Sequence, residues 1–261
     1  MLDEDRLNRM LPVSGFGEQF FFYPTVSSTN DIAIDLANQG MAHGTLVIAE
    51  GQTAGRGQRG RKWVTVQGSG LALSIILRPS MFAGEDWIKY HALGALAIVG
   101  SLEGYDLDGR IKWPNDVLLG GRKVAGVLVD VSWEGKQVEY VVLGIGVNVC
   151  LEPVLNHGDF DLPATSIEEN LDEKIDWHEL LKGILSSLDI WYSRIHQVSF
   201  IEAWEKKLAY RGENVIVTTQ DGEWYGNIVG LSDKGELRMT GDHGLFVLQK
   251  GQVQIRPGDK E

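Results

Sequence analysis

Apolar residues recur along this chain with two periods, and the switch between them marks its elements. Phe20 to Tyr23, Thr45 to Ala49 and Leu71 to Leu77 are short, continuous apolar runs that predict strands. Behind Ser27-Ser28-Thr29-Asn30, the residues Ile32, Ala33, Leu36 and Ala37 fall at helical spacing. They predict a capped helix over about 29–39, ended by Gly40. A longer helix is predicted over 86–102, with Ile88, Leu93, Leu96 and Val99 on one side. Arg110 to Trp113 leads into Pro114-Asn115-Asp116, which is turn chemistry. Val117 to Leu119 and Lys123 to Val131 form a hairpin about Gly120-Gly121, and Val138 to Val149 is a further strand carrying Gly144 and Gly146.

Two more helices carry capping boxes, Asp176 with Glu179 and Ser199 with Glu202. Leu180, Leu181, Ile184, Leu188 and Trp191 form an apolar stripe between them. After Gly212 the texture becomes short β runs between turn residues: Val215–Thr218, Trp224–Val229, Glu236–Met239, Leu245–Leu248 and Val253–Ile255. That spacing predicts a small barrel of about 50 residues. The expected division is therefore residues 1–210 and 211–261. The first 20 or so residues predict no element beyond the strand that closes them.

Composition changes this picture in three ways. Glycine stands at 32 of 261 residues, about 12% against a usual ~7%, which calls for tight turns or close backbone approach to a ligand. The formal net charge of −12 opposes nucleic acid and anionic membranes, so any polyanion must find a local basic patch. Cys150 is the single cysteine, which excludes an intramolecular disulfide, and no signal peptide or spanning segment is visible. The expectation is a soluble cytoplasmic protein.

The basic patch is found in residues 51–61, GQTAGRGQRGR. Its glycines let backbone amides approach a phosphate, and Arg56, Arg59, Arg61 and Lys62 can neutralise it. It is neither a P-loop nor a dinucleotide fingerprint, and a solvated surface loop is the equal alternative on physics alone. Lys112, Asn115 and Asp116 in one turn could set an ammonium beside magnesium-binding oxygens, although such turns commonly cap themselves. Lys123, opening an apolar strand before Val124-Ala125-Gly126, could aim one positive charge at a buried anion. An exposed strand-end lysine is the simpler reading of that segment taken alone.

Together these segments carry more than each does separately. Ser28-Thr29-Asn30, AEGQTAGRGQRGRKW (49–63), KWPNDVLLGGRKVAGVLVD (112–130) and LGIGVNV (143–149) occur in that order. The set resembles the biotin protein ligase family, closely over about 20–150 and more loosely in the C-terminal segment. The resemblance implies an α+β fold, a mixed sheet backed by helices and followed by a small SH3-like barrel. It implies ATP and Mg2+ as nucleotide and activating metal, biotin as substrate, and no tightly bound prosthetic group. The implied reaction joins biotin to AMP with release of pyrophosphate, then passes biotin to a lysine of a biotin carboxyl carrier domain.

By the same resemblance Arg56 and Lys123 screen the meeting negative charges. Ser28, Thr29, Asn30, Gln52, Gly55, Gly57, Gln58 and Gly126 complete the biotin site, with Gln58 standing where some members carry arginine. Arg59, Arg61, Trp63, Lys112, Asn115, Asn148 and Arg256 form the ATP side, Trp63 as a stacking face and Arg256 reaching in from the barrel. Asp116 is the metal ligand and a candidate for orienting the acceptor amine. Only about 27 residues precede Ser28, so no winged-helix domain and no operator binding are expected; a homodimer is. The rivals are a lipoate–protein ligase, an octanoyl transferase using Cys150, and a non-catalytic biotin-binding regulator.

Overall fold

The computed structural model describes residues 1–81, 87–150, 163–219, 222–241, 244–248 and 254–257; of Arg59 and Gln254 it describes the backbone alone. Its first element is one the sequence pattern did not predict, helix α1 (Glu4–Met10). Asp3 caps it by accepting a hydrogen bond from the Arg6 amide at 2.8 Å. Seven residues with Leu7 alone fully buried give too short a period to read.

The central sheet has seven strands: β1 (Phe20–Tyr23), β2 (Leu46–Ala49), β3 (Gly70–Leu77), β4 (Arg110–Lys112), β5 (Asp116–Leu119), β6 (Arg122–Glu134) and β7 (Gln137–Asn148). Their spatial order is β1-β2-β3-β7-β6-β5-β4. Strand β1 runs parallel to β2 and every other neighbouring pair is antiparallel. A parallel pair needs a crossover, and helix α2 (Thr29–Asn38) supplies it. The β5–β6 hairpin turns on Gly120 and Gly121, at φ +54° and +78°, the left-handed values that a two-residue hairpin turn demands.

Strand β7 explains how the sheet serves two faces. Val141, Leu143, Ile145 and Val147 are all at most 2% exposed and join the main core, under α3 (Trp87–Glu103) and α5 (Trp177–Tyr192). Burying each such side chain contributes about 1.5–3 kcal/mol. The alternate residues face α2, where Tyr140 and Val142 pack with Ala33, Ala37, Val47 and Ile76. Gly144 and Gly146 continue that second face with no side chain at all, so the sheet is bare just beyond the N-terminus of α2.

Two short helices complete this part, α4 (Ile167–Leu171) and α6 (Val198–Lys206). Asp176 caps α5 as expected, accepting from the His178 amide at 2.9 Å. The expected cap at Ser199 is not formed: α6 starts one residue earlier, with Gln197 at the cap position and no side-chain capping bond. Ser199 lies inside the helix and donates instead toward Gln197 Oε1.

The C-terminal strands are β8 (Asn214–Thr219), β9 (Gly222–Leu231), β10 (Leu237–Gly241), β11 (Gly244–Leu248) and β12 (Gln254–Pro257). They form one antiparallel sheet in the order β11-β10-β9-β8-β12. Among the described residues this ladder does not close on itself, so the expected barrel is an open sheet; the predicted start at Val253 lies outside the described residues, as does residue 86 at the predicted start of α3. The sheet is braced against the turn after β4 by Trp113 Nε1, which donates to Gly235 O at 2.9 Å; β4 itself is tied to the end of α6, the Ile111 amide donating to Lys207 O at 2.7 Å.

Candidate functional site

The bare patch of the sheet is the floor of a cleft of about 450 Å³, open to solvent. Three glycines make it, because Gly126 of β6 pairs directly with Gly146 of β7 and Leu128 pairs with Gly144. Neither β7 glycine tolerates a side chain. A Cβ on Gly144 would collide with the Asn30 side chain, and one on Gly146 would come within 2.5 Å of the Trp63 indole. Sequence reading noted both glycines and assigned them no role. The strand's alternation held the signal, since large residues occupy every position of the opposite face.

One end of the cleft is a closed polar network at the start of α2. Ser28 caps the helix, accepting from the Asp31 amide at 3.4 Å. The Thr29 amide and hydroxyl both donate to Gln52 Oε1, at 2.8 and 3.1 Å. Ser74 of β3, which the sequence reading passed over, bonds both Thr29 Oγ1 at 2.8 Å and Asn30 Oδ1 at 2.6 Å. Asn30 Nδ2 donates to Asp130 at 2.8 Å. Ser28, Thr29 and Asn30 are buried, and each is tied to fixed neighbours.

The basic loop folds back as a small hairpin over the cleft. Gly57 N donates to Arg61 O and Trp63 N to Gly55 O, with a 3-10 turn at Gln58–Gly60 at the tip. Its roots are held by the Thr53 and Ala54 amides on Val26 and Ser27 carbonyls, each at 2.9 Å. Arg56, Gly57, Gln58 and Trp63 all line the cleft. The Arg56 guanidinium is held by Asp31 at 2.8 Å and Asp130 at 2.9 Å. Partial burial opposes its charge, but the bond to Asp130 and the charges of Asp130 and Asp31 outweigh that and lift its pKa above the ordinary arginine value.

At the other end Lys123 reaches Asp116 at 2.6 Å and lies 5.3 Å above the Trp63 ring. Asn115 lines the cleft too, but its amide donates to Val127 O at 2.9 Å, which makes it a strut between the turn and β6. Lys112 is buried in β4, opposite Asp116 in the ladder. Not every expected residue is brought here. Asn148 spends its amide on Thr165 O at 3.0 Å and Lys123 O at 3.4 Å, steadying the backbone beneath Lys123. Arg256 is exposed on β12 and pairs with Glu223 at 2.9 Å, away from the cleft-lining residues. Arg61 and Gly55 shape the hairpin without lining the cleft, and the Arg59 side chain lies outside the described residues.

The segment 163–171 braces Lys123 from behind. The Lys123 amide donates to Pro163 O at 2.8 Å and Thr165 N returns a bond to Lys123 O at 2.9 Å. Glu169 anchors the segment through Arg122 at 2.5 Å, and this bond holds its carboxyl below the usual 4.5. A depressed carboxylate stabilises the fold above its unfolded pKa and loses that contribution as pH falls through the folded one. Arg122→Ala should therefore lower the Tm more at pH 7 than at pH 3. A loss of equal size at both values would mean that packing, not the ion pair, holds the segment.

A floor without side chains, a preset polar end, a glycine hairpin folded over the cleft and one lysine beside a carboxylate make a site suited to an anionic small molecule. Comparison with known proteins agrees. Residues 22–148 match the biotin/lipoate A/B protein ligase family. The chain is 34% identical over 241 residues to the biotin–[acetyl-CoA-carboxylase] ligase of Paracoccus denitrificans, covering 87% of this chain and 96% of that one. It is 31% identical over 258 residues to the bifunctional ligase/repressor BirA of Bacillus subtilis, covering 97% and 79%. Among solved structures, the biotin protein ligase of Aquifex aeolicus in complex with biotin and ATP superposes with a TM-score of 0.78 at 28% identity, covering 92% of this chain and all of that one. The chain belongs to the biotin protein ligase family.

Proposed function

We propose that the cleft forms biotinyl-5′-adenylate and then passes biotin to a lysine of a biotin carboxyl carrier domain. The observation that carries this is Lys123 at the mouth of a glycine floor, the ring-binding polar network at one end and the Lys112–Asp116 turn at the other. Biotin's carboxylate oxygen attacks the α-phosphorus of ATP, the α–β bridging bond breaks and pyrophosphate leaves. Both partners are anions, so the barrier is chiefly electrostatic, and a preset cation beside the reacting atoms is the effective remedy. Lys123 supplies it, exchanging Asp116 for the incoming anions.

Ser28, Thr29, Asn30 and Gln52 offer fixed donors and acceptors to biotin's ring, and residues 56–58 line the acyl end. Lys112 and Asn115 hold the nucleotide turn, and Trp63 lies where a base or acyl chain can pack on it. Asp116 fits a magnesium ion that arrives with the nucleotide. It supplies one carboxylate, as such sites commonly do, and no cluster of three or more protein ligands is found among the described residues. That ion would screen the departing pyrophosphate. In the second step the acceptor amine, once deprotonated, attacks the acyl carbon and AMP leaves. The hairpin excludes water meanwhile.

The division into residues 1–210 and 211–261 fits the two separate sheets. Among the described residues no helix is long and apolar enough to cross a membrane. A cytoplasmic location, no nucleic-acid partner at net charge −12, and a homodimer complete the reading. The test is single-turnover transfer. Protein preloaded with labelled adenylate should release AMP and label a carrier domain only when its target lysine is present. Label appearing on a carrier whose lysine is replaced by arginine would contradict the acceptor assignment.

A further inference from the structure

The family resemblance gives Arg56 the task of screening the reacting anions, but its guanidinium is committed elsewhere. It bridges two carboxylates on different elements, Asp31 in the first turn of α2 and Asp130 on β6. Asp130 is itself fixed from a second direction by Asn30 Nδ2 at 2.8 Å. Meanwhile residues 56–58 form part of the cleft wall. Arg56 thus sits where one side chain can fix the whole hairpin, since its neighbours on either strand are paired to each other through Gly57 N and Trp63 N.

We propose that Asp130 and Asp31 are positioning residues that clamp the Arg56 guanidinium and so hold the 55–63 hairpin shut over the bound acyl-adenylate. The proposal rests on reading the cleft as an acyl-adenylate site. Its physical content is a division of labour. Lys123, whose carboxylate partner lies on the nucleotide turn, meets the reacting charges, while Arg56 acts through the loop backbone. The three groups are partly exposed, with Arg56 at 37%, Asp31 at 50% and Asp130 at 27%. Each pair is therefore screened and modest, and the hairpin can still open to let ligands in and out.

The experiment follows escape of the adenylate and catalysis separately. The protein is charged with labelled biotin and ATP, chased with excess unlabelled biotin, and the release rate of biotinyl-5′-adenylate is compared with kcat for ATP–pyrophosphate exchange at saturating biotin. Asp130→Asn keeps an acceptor for Asn30 and removes the charge; Asp31→Asn, at an exposed helix start, guards against a folding defect in the first variant. Both should release adenylate about five- to tenfold faster, the size expected for one partly screened charged bond, with kcat changed less than twofold. Asp130→Glu should restore slow release. Unchanged release in both variants would overturn the clamp. So would a fall in kcat with unchanged release, which would place these groups on the reacting atoms. If the unaltered protein forms no adenylate at all, the reading of the cleft fails first and the clamp falls with it.

Discussion

Lys123→Ala is expected to cut ATP–pyrophosphate exchange by about a hundred- to a thousandfold, the usual loss when one preorganised charge-stabilising group is removed. The lysine is half-buried, set 2.6 Å from Asp116 and over the Trp63 ring, with its backbone locked by Pro163 and Thr165. The groups around it hold the ammonium in place before substrate arrives, so little reorganisation remains to be done during reaction. The loss should fall mainly on kcat, because the lysine's charge matters most where negative charge gathers on the phosphorus. Lys123→Arg should recover only part of the activity, since a planar fork does not replace a compact ammonium packed beside Gly126. Steady-state exchange at saturating biotin and ATP checks this. A rise in KM alone, with kcat intact, would mean that Lys123 only binds substrate.

Gly146→Ala is expected to weaken biotin binding by about ten- to a hundredfold with kcat much less affected. The added methyl would press against the Trp63 indole, and inserting carbon into a packed site costs roughly 1–3 kcal/mol. Gly144→Ala should act similarly by displacing Asn30, and through it the bonds to Ser74 and Asp130. Titration calorimetry with biotin gives the affinities, and a melting curve separates this effect from misfolding. Equal affinity in both alanine variants would mean that biotin does not lie on the glycine floor.

Much of this site was legible in the residues themselves, and the reasons differ by element. Gly120-Gly121 predicts its hairpin because only left-handed backbone fits there, and Ser28 predicts the start of α2 because a helix end needs a side-chain acceptor. The basic loop and the Lys112–Asp116 turn stand out because their chemistry is concentrated in a few consecutive positions. Asp31, Ser74 and Asp130 were missed for the opposite reason: each is an ordinary residue in its own segment. Only the register that sets Asp130 opposite Val142 and the helix that brings Asn30 to Ser74 give them partners.

Where the arrangement differs from the sequence pattern, the causes are physical too. Ser199-x-x-Glu202 has the spacing of a capping box, but the backbone turns helical one residue earlier, at Val198, and the serine is left inside. Arg256 carries the right charge on the right strand, yet Glu223 lies across β8 from it and takes the guanidinium. Asn115 and Asn148 look like ligand-binding amides and are, in this structure, struts that hold the backbone around Lys123.

Activation of biotin as its adenylate is the step on which the roles of Lys123, the glycine floor and the hairpin all depend. The most direct measurement is ATP–pyrophosphate exchange by the purified protein with magnesium, offered biotin, lipoate or octanoate in turn. Exchange is expected with biotin alone, cut by about a hundredfold or more in Lys123→Ala; exchange with lipoate or octanoate in biotin's place, or with no acid at all, would overturn biotin activation in this cleft.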